Sequence, residues 1–284
     1  MIMKTKMRFF ILLGLLAGLG GLVYASTLSD LFFSVIQRED SSHGICVPFI
    51  AGYLIWLKLA KIKETKAEFA PALGMMLAAP GMLLFFLAGE SQDVFLPSFS
   101  FLLVAGGLII GLFGKDVFKE LCFPFFFLAA MIPLPTPLYA QLTEWMRIST
   151  TWGSVSVLQL FHFPIYRDGY NISLPNMNLF VANSCSGIRY LIPYFVFGLA
   201  YAFVCKNTMR SRVLVVLATI PMSILGGVLR QSIIFLSAYY ISPVMAEHRP
   251  HVMISWSVFV VVLTGAMGLD RKISKKLETR SRKA

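Results

Sequence analysis

Cys185 stands in Asn183-Ser184-Cys185-Ser186-Gly187-Ile188-Arg189, where a polar stretch gives way to an apolar run. The start of a helix presents free backbone N–H groups and a partial positive charge. A thiol held at such a place reacts as thiolate more readily than an ordinary one. Arg230 lies inside a long apolar run that holds no carboxylate. Charge in such a run is costly, which makes Arg230 a candidate fixed cation for a carboxylate, an oxyanion or a lipid phosphate. Its competing reading is a side chain that caps backbone carbonyls at Gly226-Gly227, or snorkels outward. His251, in His251-Val252-Met253-Ile254-Ser255-Trp256, is the candidate base. A lone histidine at the start of an apolar run also suits an interfacial anchor, and His248 and His43 compete for the role. Thiolate, guanidinium and imidazole are the parts that acyl transfer requires.

The elements that must position them follow from composition. Of 284 residues, 57% are hydrophobic, 14% are aromatic and 14% are charged, with a net charge of +11 and a mean hydropathy of +0.74. A soluble domain is about 25% charged. Too little polar surface remains for a secreted soluble protein or a disordered chain. Four cysteines are too few for a disulfide scaffold. The apolar runs are continuous rather than alternating, which disfavours a transmembrane barrel and predicts an all-α polytopic membrane protein. About eight spans are expected: Arg8–Ala25, Ile45–Lys61, Ala70–Ala88, Leu96–Phe113, Phe118–Leu134, Ser186–Cys205, Val213–Tyr240 and His251–Leu269. Pro221 and Gly226-Gly227 mark a place where the seventh could tilt or break. The first span also carries a signal-peptide pattern, with Tyr24-Ala25-Ser26 as a weak cleavage site.

With the N-terminus inside, 19 of the 25 Lys and Arg fall on the cytoplasmic side and four (Arg38, Arg147, Arg167, Arg249) outside. The other two, Arg189 and Arg230, lie within spans. This bias predicts cytoplasmic termini. It also accounts for the basic balance without nucleic acid. Cys185, Arg230 and His251, separated by 45 and 21 residues, then come from three different spans and share the outer side. Cys122 and Cys205 fall at cytoplasmic ends and read as packing residues. Cys46 falls near the outer face, so a Cys46–Cys185 disulfide is the alternative to a reactive thiol. All 14 carboxylates sit in loops or at span ends, which argues against an intramembrane aspartyl protease or a carboxylate proton relay. The chain reads as one integral membrane domain with an outer insertion at about 133–184 and a basic, solvated tail at 271–284. Within the insertion, Pro133 to Pro137 stops a helix, and Leu138 to Leu160 reads as an amphipathic helix on the outer surface carrying His162 just beyond it. Asp168-Gly169 and Pro175-Asn176 flank alternating Tyr170–Leu174, a small β-hairpin or meander.

On these residues the chain resembles the exosortase/archaeosortase family of membrane-embedded cysteine transpeptidases. The matching features are Cys185-Ser186-Gly187, Arg230 in the outer part of the next span, and His251 followed by Ser255-Trp256. His43-Gly44, Phe123-Pro124, Ile132-Pro133-Leu134-Pro135 and Arg167-Asp168-Gly169 add to it, so that the likeness runs from about Ser42 to Phe259. Three positions depart from the common pattern: Gly227 replaces Asn, Ser255 replaces Gly, and Ser184 replaces Ala. The resemblance implies catalytic Cys185, Arg230 and His251, substrate-binding His43 and Arg189, and no metal or organic cofactor. Its implied partners are membrane lipids and exported proteins ending in a short motif such as Pro-Glu-Pro, an apolar span and a basic tail. Cleavage would pass through a thioester, with a lipid amine or water as acceptor. The alternatives are a transporter or non-catalytic subunit of a polysaccharide-export complex, in which Arg230 binds an anion, and a lipid- or glycan-modifying transferase, which lacks its usual carboxylates.

Overall fold

A computed structural model describes residues 18, 20–37, 43–89, 93–206, 208–246 and 248–281. The chain forms two compact units, Met1–Thr136 and Pro137–Ala284. The first holds α1 (Ala25–Gln37), α2 (Cys46–Glu64), α3 (Pro71–Ala88), α4 (Phe95–Phe113) and α5 (Lys115–Phe127), with a 3-10 turn at Leu128–Met131. Small residues let α3 and α4 approach closely, as they do in membrane bundles. A Cβ on Gly74 would stand 2.5 Å from the Gly107 carbonyl oxygen. Tyr24 is buried, with Oη 3.1 Å from Ser100 Oγ. Glu120 on α5 pairs with Lys58 at 3.2 Å and Lys61 at 2.7 Å on α2, so this carboxylate is neutralised at the helix end.

The second unit holds α6 (Thr136–Leu160), strands β1 (Tyr166–Asp168), β2 (Asn171–Leu174) and β3 (Met177–Phe180), a 3-10 turn at Asn183–Cys185, α7 (Ile188–Cys205), α8 (Met209–Tyr240), a 3-10 turn at Pro243–Ala246 and α9 (His248–Ser281). The strands form an antiparallel meander, β1-β2-β3. Their register pairs Tyr166 with Ser173 and Ile172 with Leu179. Alternation along β2 buries Ile172 and Leu174, which pack with Val155 and Leu158 of α6 and Phe235 of α8. The expected hairpin region is therefore a three-stranded pad seated on two helices.

Among the described residues, five helices are long and apolar enough to cross a membrane, or up to six if the stretch on either side of Pro133–Pro135 counts as one broken span. The protein is multi-pass, and eight is an approximate count. The first expected span lies largely outside the described residues. The last is a helix with a shorter apolar stretch, Val252–Gly268. The seventh does not break. α8 runs unbroken through Pro221 for 32 residues, about 48 Å at 1.5 Å per residue. The basic tail, expected to be solvated and partly disordered, continues α9 as helix through Ser281, as its Lys, Arg and Glu content favours. Residues 25–37, expected as loop, form α1, with Leu31 and Val35 buried at helical spacing. The helix expected over Leu138–Leu160 is present as α6. Its polar stripe faces protein: Thr143, Arg147, Thr150, Thr151 and Ser154 are buried, while Trp145, Ile148 and Trp152 are exposed.

Candidate active site

Cys185 ends the 3-10 turn that delivers the chain into α7. Its N–H donates to Ala182 O at 2.9 Å, and the Ser186 N–H donates to Asn183 O at 3.1 Å. Gly187 follows with φ of +82°, a left-handed conformation that glycine adopts at little cost and that reverses the chain into the helix. The thiol is half-buried against the Ile172–Phe235 cluster. None of the four cysteines forms a disulfide, which removes the Cys46–Cys185 alternative in this structure. Cys122 is half-buried, and Cys205 is exposed at the end of α7.

Arg230 is 3% exposed. It neither snorkels nor caps a helix break, because α8 has none. Its Nε donates to Ser255 Oγ at 2.8 Å, and its guanidinium carbon lies 5.7 Å from the centre of the Tyr190 ring. Tyr190, in the first turn of α7, donates from Oη to Ser255 O at 2.9 Å. Position 255 of α9 thus receives one hydrogen bond from α7 and one from α8. His251 lies one turn earlier on α9, at the i−4 spacing that shares a helix face. Its imidazole, like that of His248, lies outside the described atoms. The structure therefore ties Arg230 and the first turn of α7 to Ser255 of α9, and sets Gly187, two residues after Cys185, against Gly227. Arg189 is half-buried on the first turn of α7, four residues after the thiol. His43 belongs to the first unit, in a short 3-10 turn before α2. His162 is exposed in a turn after α6, at φ of +57°.

Two residues that depart from the family pattern are used here. Ser255 supplies the acceptor for Arg230. Gly227, one turn before Arg230, lets α8 reach the Cys185 turn: a Cβ built on Gly187 would come within 3.8 Å of Gly227 Cα. A Cβ at Gly227 would collide with Thr150 Cγ2, whose β-branched side chain has little room to turn. Gly227→Ala should destabilise the protein by about 1–3 kcal/mol, read as a lower melting temperature in detergent. Thr150→Ser removes that methyl and should recover most of the loss.

Sequence reasoning missed α6 as a splint. Thr150 Oγ1 donates to Met146 O at 2.7 Å and lies 3.3 Å from Ser186 O. Ser154 Oγ is 3.1 Å from Val228 O and 3.3 Å from Gln231 Oε1, and Gln231 Nε2 donates to Thr151 Oγ1 at 3.3 Å. One stripe thus touches both the nucleophile turn and the residue next to Arg230. Arg147, on the same stripe, is 8% exposed. Its Nη1 donates to Asn183 Oδ1, two residues before Cys185, and its guanidinium stacks 3.3 Å from the centre of the Tyr170 ring. Tyr170 Oη donates to Glu144, and that carboxylate holds the phenol above its usual range. The available signal was the spacing of polar residues at 143, 147, 150, 151 and 154, a helical stripe opposite tryptophans.

A family model described as transmembrane exosortase matches residues 35–268. Neither the curated proteins nor the solved structures yield a significant match. With that match spanning most of its length, this multi-pass chain belongs to the transmembrane exosortase family.

Proposed function

We propose that the protein is a sorting transpeptidase that cleaves the C-terminal signal of exported proteins through a Cys185 thioester. The observation that carries this reading is the double tie at Ser255, which joins the helix after Cys185 and the Arg230 side chain to the helix that bears His251. The Cys185 thiolate attacks the carbonyl carbon of the scissile peptide. Arg230 stabilises the oxyanion or holds a substrate carboxylate. The carbon–nitrogen bond then breaks, and the leaving amine takes a proton from His251. An incoming amine, on a lipid, or water gives a proton to His251 and attacks the thioester, which releases product and restores the thiolate. The scheme calls on no metal or organic cofactor.

In this reading the protein lies in the inner membrane with both termini cytoplasmic and its site on the extracytoplasmic side. Arg189, one turn beyond the nucleophile, and His43 contact the substrate. The substrate brings a motif of the Pro-Glu-Pro type, an apolar span and a basic tail, so substrate and lipid acceptor arrive laterally.

The test is a tagged exported protein with such a tail, expressed with wild-type or Cys185→Ala enzyme. Wild type should yield shortened product and, under acid quench, a hydroxylamine-sensitive adduct. The variant should accumulate full-length precursor and no adduct. Normal processing in the variant would mean that the chain works without its thiol, as a transporter or export-complex subunit would.

Arg147 is a positioning residue in this scheme. Arg147→Met should slow processing about tenfold, and should change the rate at which iodoacetamide alkylates Cys185 in the folded protein. The lost bond leaves Asn183 without its donor, a change of about 1–3 kcal/mol. Arg147→Lys, which keeps a donor and a cation, should recover part of both. A purely structural role would move the melting temperature and leave the alkylation rate of the folded fraction unchanged.

A further inference from the structure

At the far end of the second unit, α7, α8 and α9 diverge around a cavity of about 350 Å³. This is at the lower end of the range for small-molecule sites. Its lining runs from Tyr194 on α7 to Lys206 just past the end of that helix, twelve residues or about 18 Å. Leu214, Ala218, Met222, Val262, Ala266 and Met267 line it. None of these can hydrogen-bond a polar ligand through its side chain.

Lining Thr219 and Tyr194 donate their hydroxyls to Val216 O and Phe259 O, and the charged lining groups lie at one end only. Lys206 Nζ pairs with Asp270 at 2.6 Å, and Tyr201 Oη donates to the same carboxylate at 2.8 Å, which ties α7 to α9 at the mouth. Arg212 donates from Nε to Lys206 O at 2.9 Å, which brings a second cation there, and Arg210 is exposed beside lining Ser211. Among the described residues, Lys206 pairs with the Asp270 carboxylate, and Arg212 and Arg210 add positive charge beside it. The N-terminus of α8, at Met209, opens on the same end and adds a partial positive charge. In the orientation that the Lys and Arg distribution predicts, this end meets the cytoplasmic leaflet.

We infer that this groove binds one acyl chain of an anionic phospholipid from the cytoplasmic leaflet, with its phosphate at Lys206, Arg210 and Arg212. An apolar groove with a cationic rim at headgroup depth matches that molecule at both ends, and basic pockets between spans hold anionic headgroups. A substrate's basic tail would carry the same sign as the rim and is disfavoured there. The inference rests on the orientation and not on the thioester chemistry.

The test uses the full chain in nanodiscs of neutral lipid, doped with phosphatidylglycerol or phosphatidylcholine bearing a diazirine on one acyl chain. After irradiation, peptides covering 214–222 and 262–267 should carry at least fivefold more label from phosphatidylglycerol than from phosphatidylcholine. Ala218→Trp, which fills the groove, should lower that label at least fivefold and leave labelling elsewhere unchanged. Arg212→Gln should reduce it to the phosphatidylcholine level. If Ala218→Trp fails to fold, competition by unlabelled phosphatidylglycerol on wild type replaces it and should lower the same label fivefold. Equal labelling by both lipids, or phosphatidylglycerol labelling that neither variant nor competitor reduces, would overturn the inference. So would a groove filled by another protein's helix instead of lipid.

Discussion

Cys185→Ser is expected to lower tail processing by at least about 10³-fold while the protein melts within a few degrees of wild type. The two side chains are nearly the same size, so packing against the Ile172–Phe235 cluster changes little. The backbone bonds that form the turn, Cys185 N–H to Ala182 O and Ser186 N–H to Asn183 O, do not involve the side chain. No disulfide is lost. What changes is the nucleophile. A thiol is partly ionised near neutral pH and intrinsically very nucleophilic, whereas a hydroxyl needs a strong base to give up its proton at the moment of attack. Loss of rate without loss of fold is the signature of a group needed only for reaction. The measurement is the initial rate of product formation in isolated membranes, beside a melting curve of the purified variant. A drop of less than tenfold would remove the thiol from the mechanism.

Arg230→Ala should cost about 10²–10³ in the same rate, the range for removing one donor to a developing oxyanion. Here part of the effect is structural, because the side chain is buried and Ser255 Oγ loses its donor. Two further variants separate the parts. Ser255→Gly places the commoner family residue beside Arg230 and should cost tenfold or less, since the guanidinium remains. Arg230→Lys keeps the charge but not the planar fork. It should remain at least tenfold below wild type if Nε must hold Ser255 while the terminal nitrogens face the reacting carbonyl. Equal rates for Arg230→Lys and wild type would reduce Arg230 to a diffuse charge. Each rate should be read beside a melting temperature, so that loss of folded protein is not counted as loss of catalysis.

The spans were legible because the bilayer demands it. Ala70–Ala88 became α3 (Pro71–Ala88) and Leu96–Phe113 became α4 (Phe95–Phe113), since apolar runs ended by charge or a turn leave few choices. The meander was half legible. Alternation along Asn171–Leu174 marked β2, but Tyr166–Asp168 is a three-residue edge strand with no apolar period. Cys185, Arg230 and His251 were legible as types, whereas the tie of Arg230 to Ser255 depends on tertiary approach that no local pattern encodes. Arg147 was read only as an outer charge. Its burial depends on Tyr170 and Asn183 folding back over α6, through contacts 23 and 36 residues away in sequence. The possible tilt or break in α8 came from reading Pro221 and Gly226-Gly227 as flexibility. Inside a long membrane helix those glycines instead provide closeness to α6 and α7.

The unbroken α8 also acts as a lever. It is about 18 Å longer than a 30 Å hydrocarbon slab, so it must lean or protrude, and its lean changes with bilayer thickness. A pivot for that lean is the tight crossing at Gly227, where α8 has no side chain of its own and packs directly on Thr150 and Gly187. Arg230 stands about 4.5 Å along the axis from that pivot, whereas Met209 stands about 27 Å away. A tilt that swings the inner end by several ångströms displaces the guanidinium by about a sixth as much. On the proposed mechanism, the Arg230 end would thereby move little as membrane thickness changes, and the strain of hydrophobic mismatch would fall on the Met209 end.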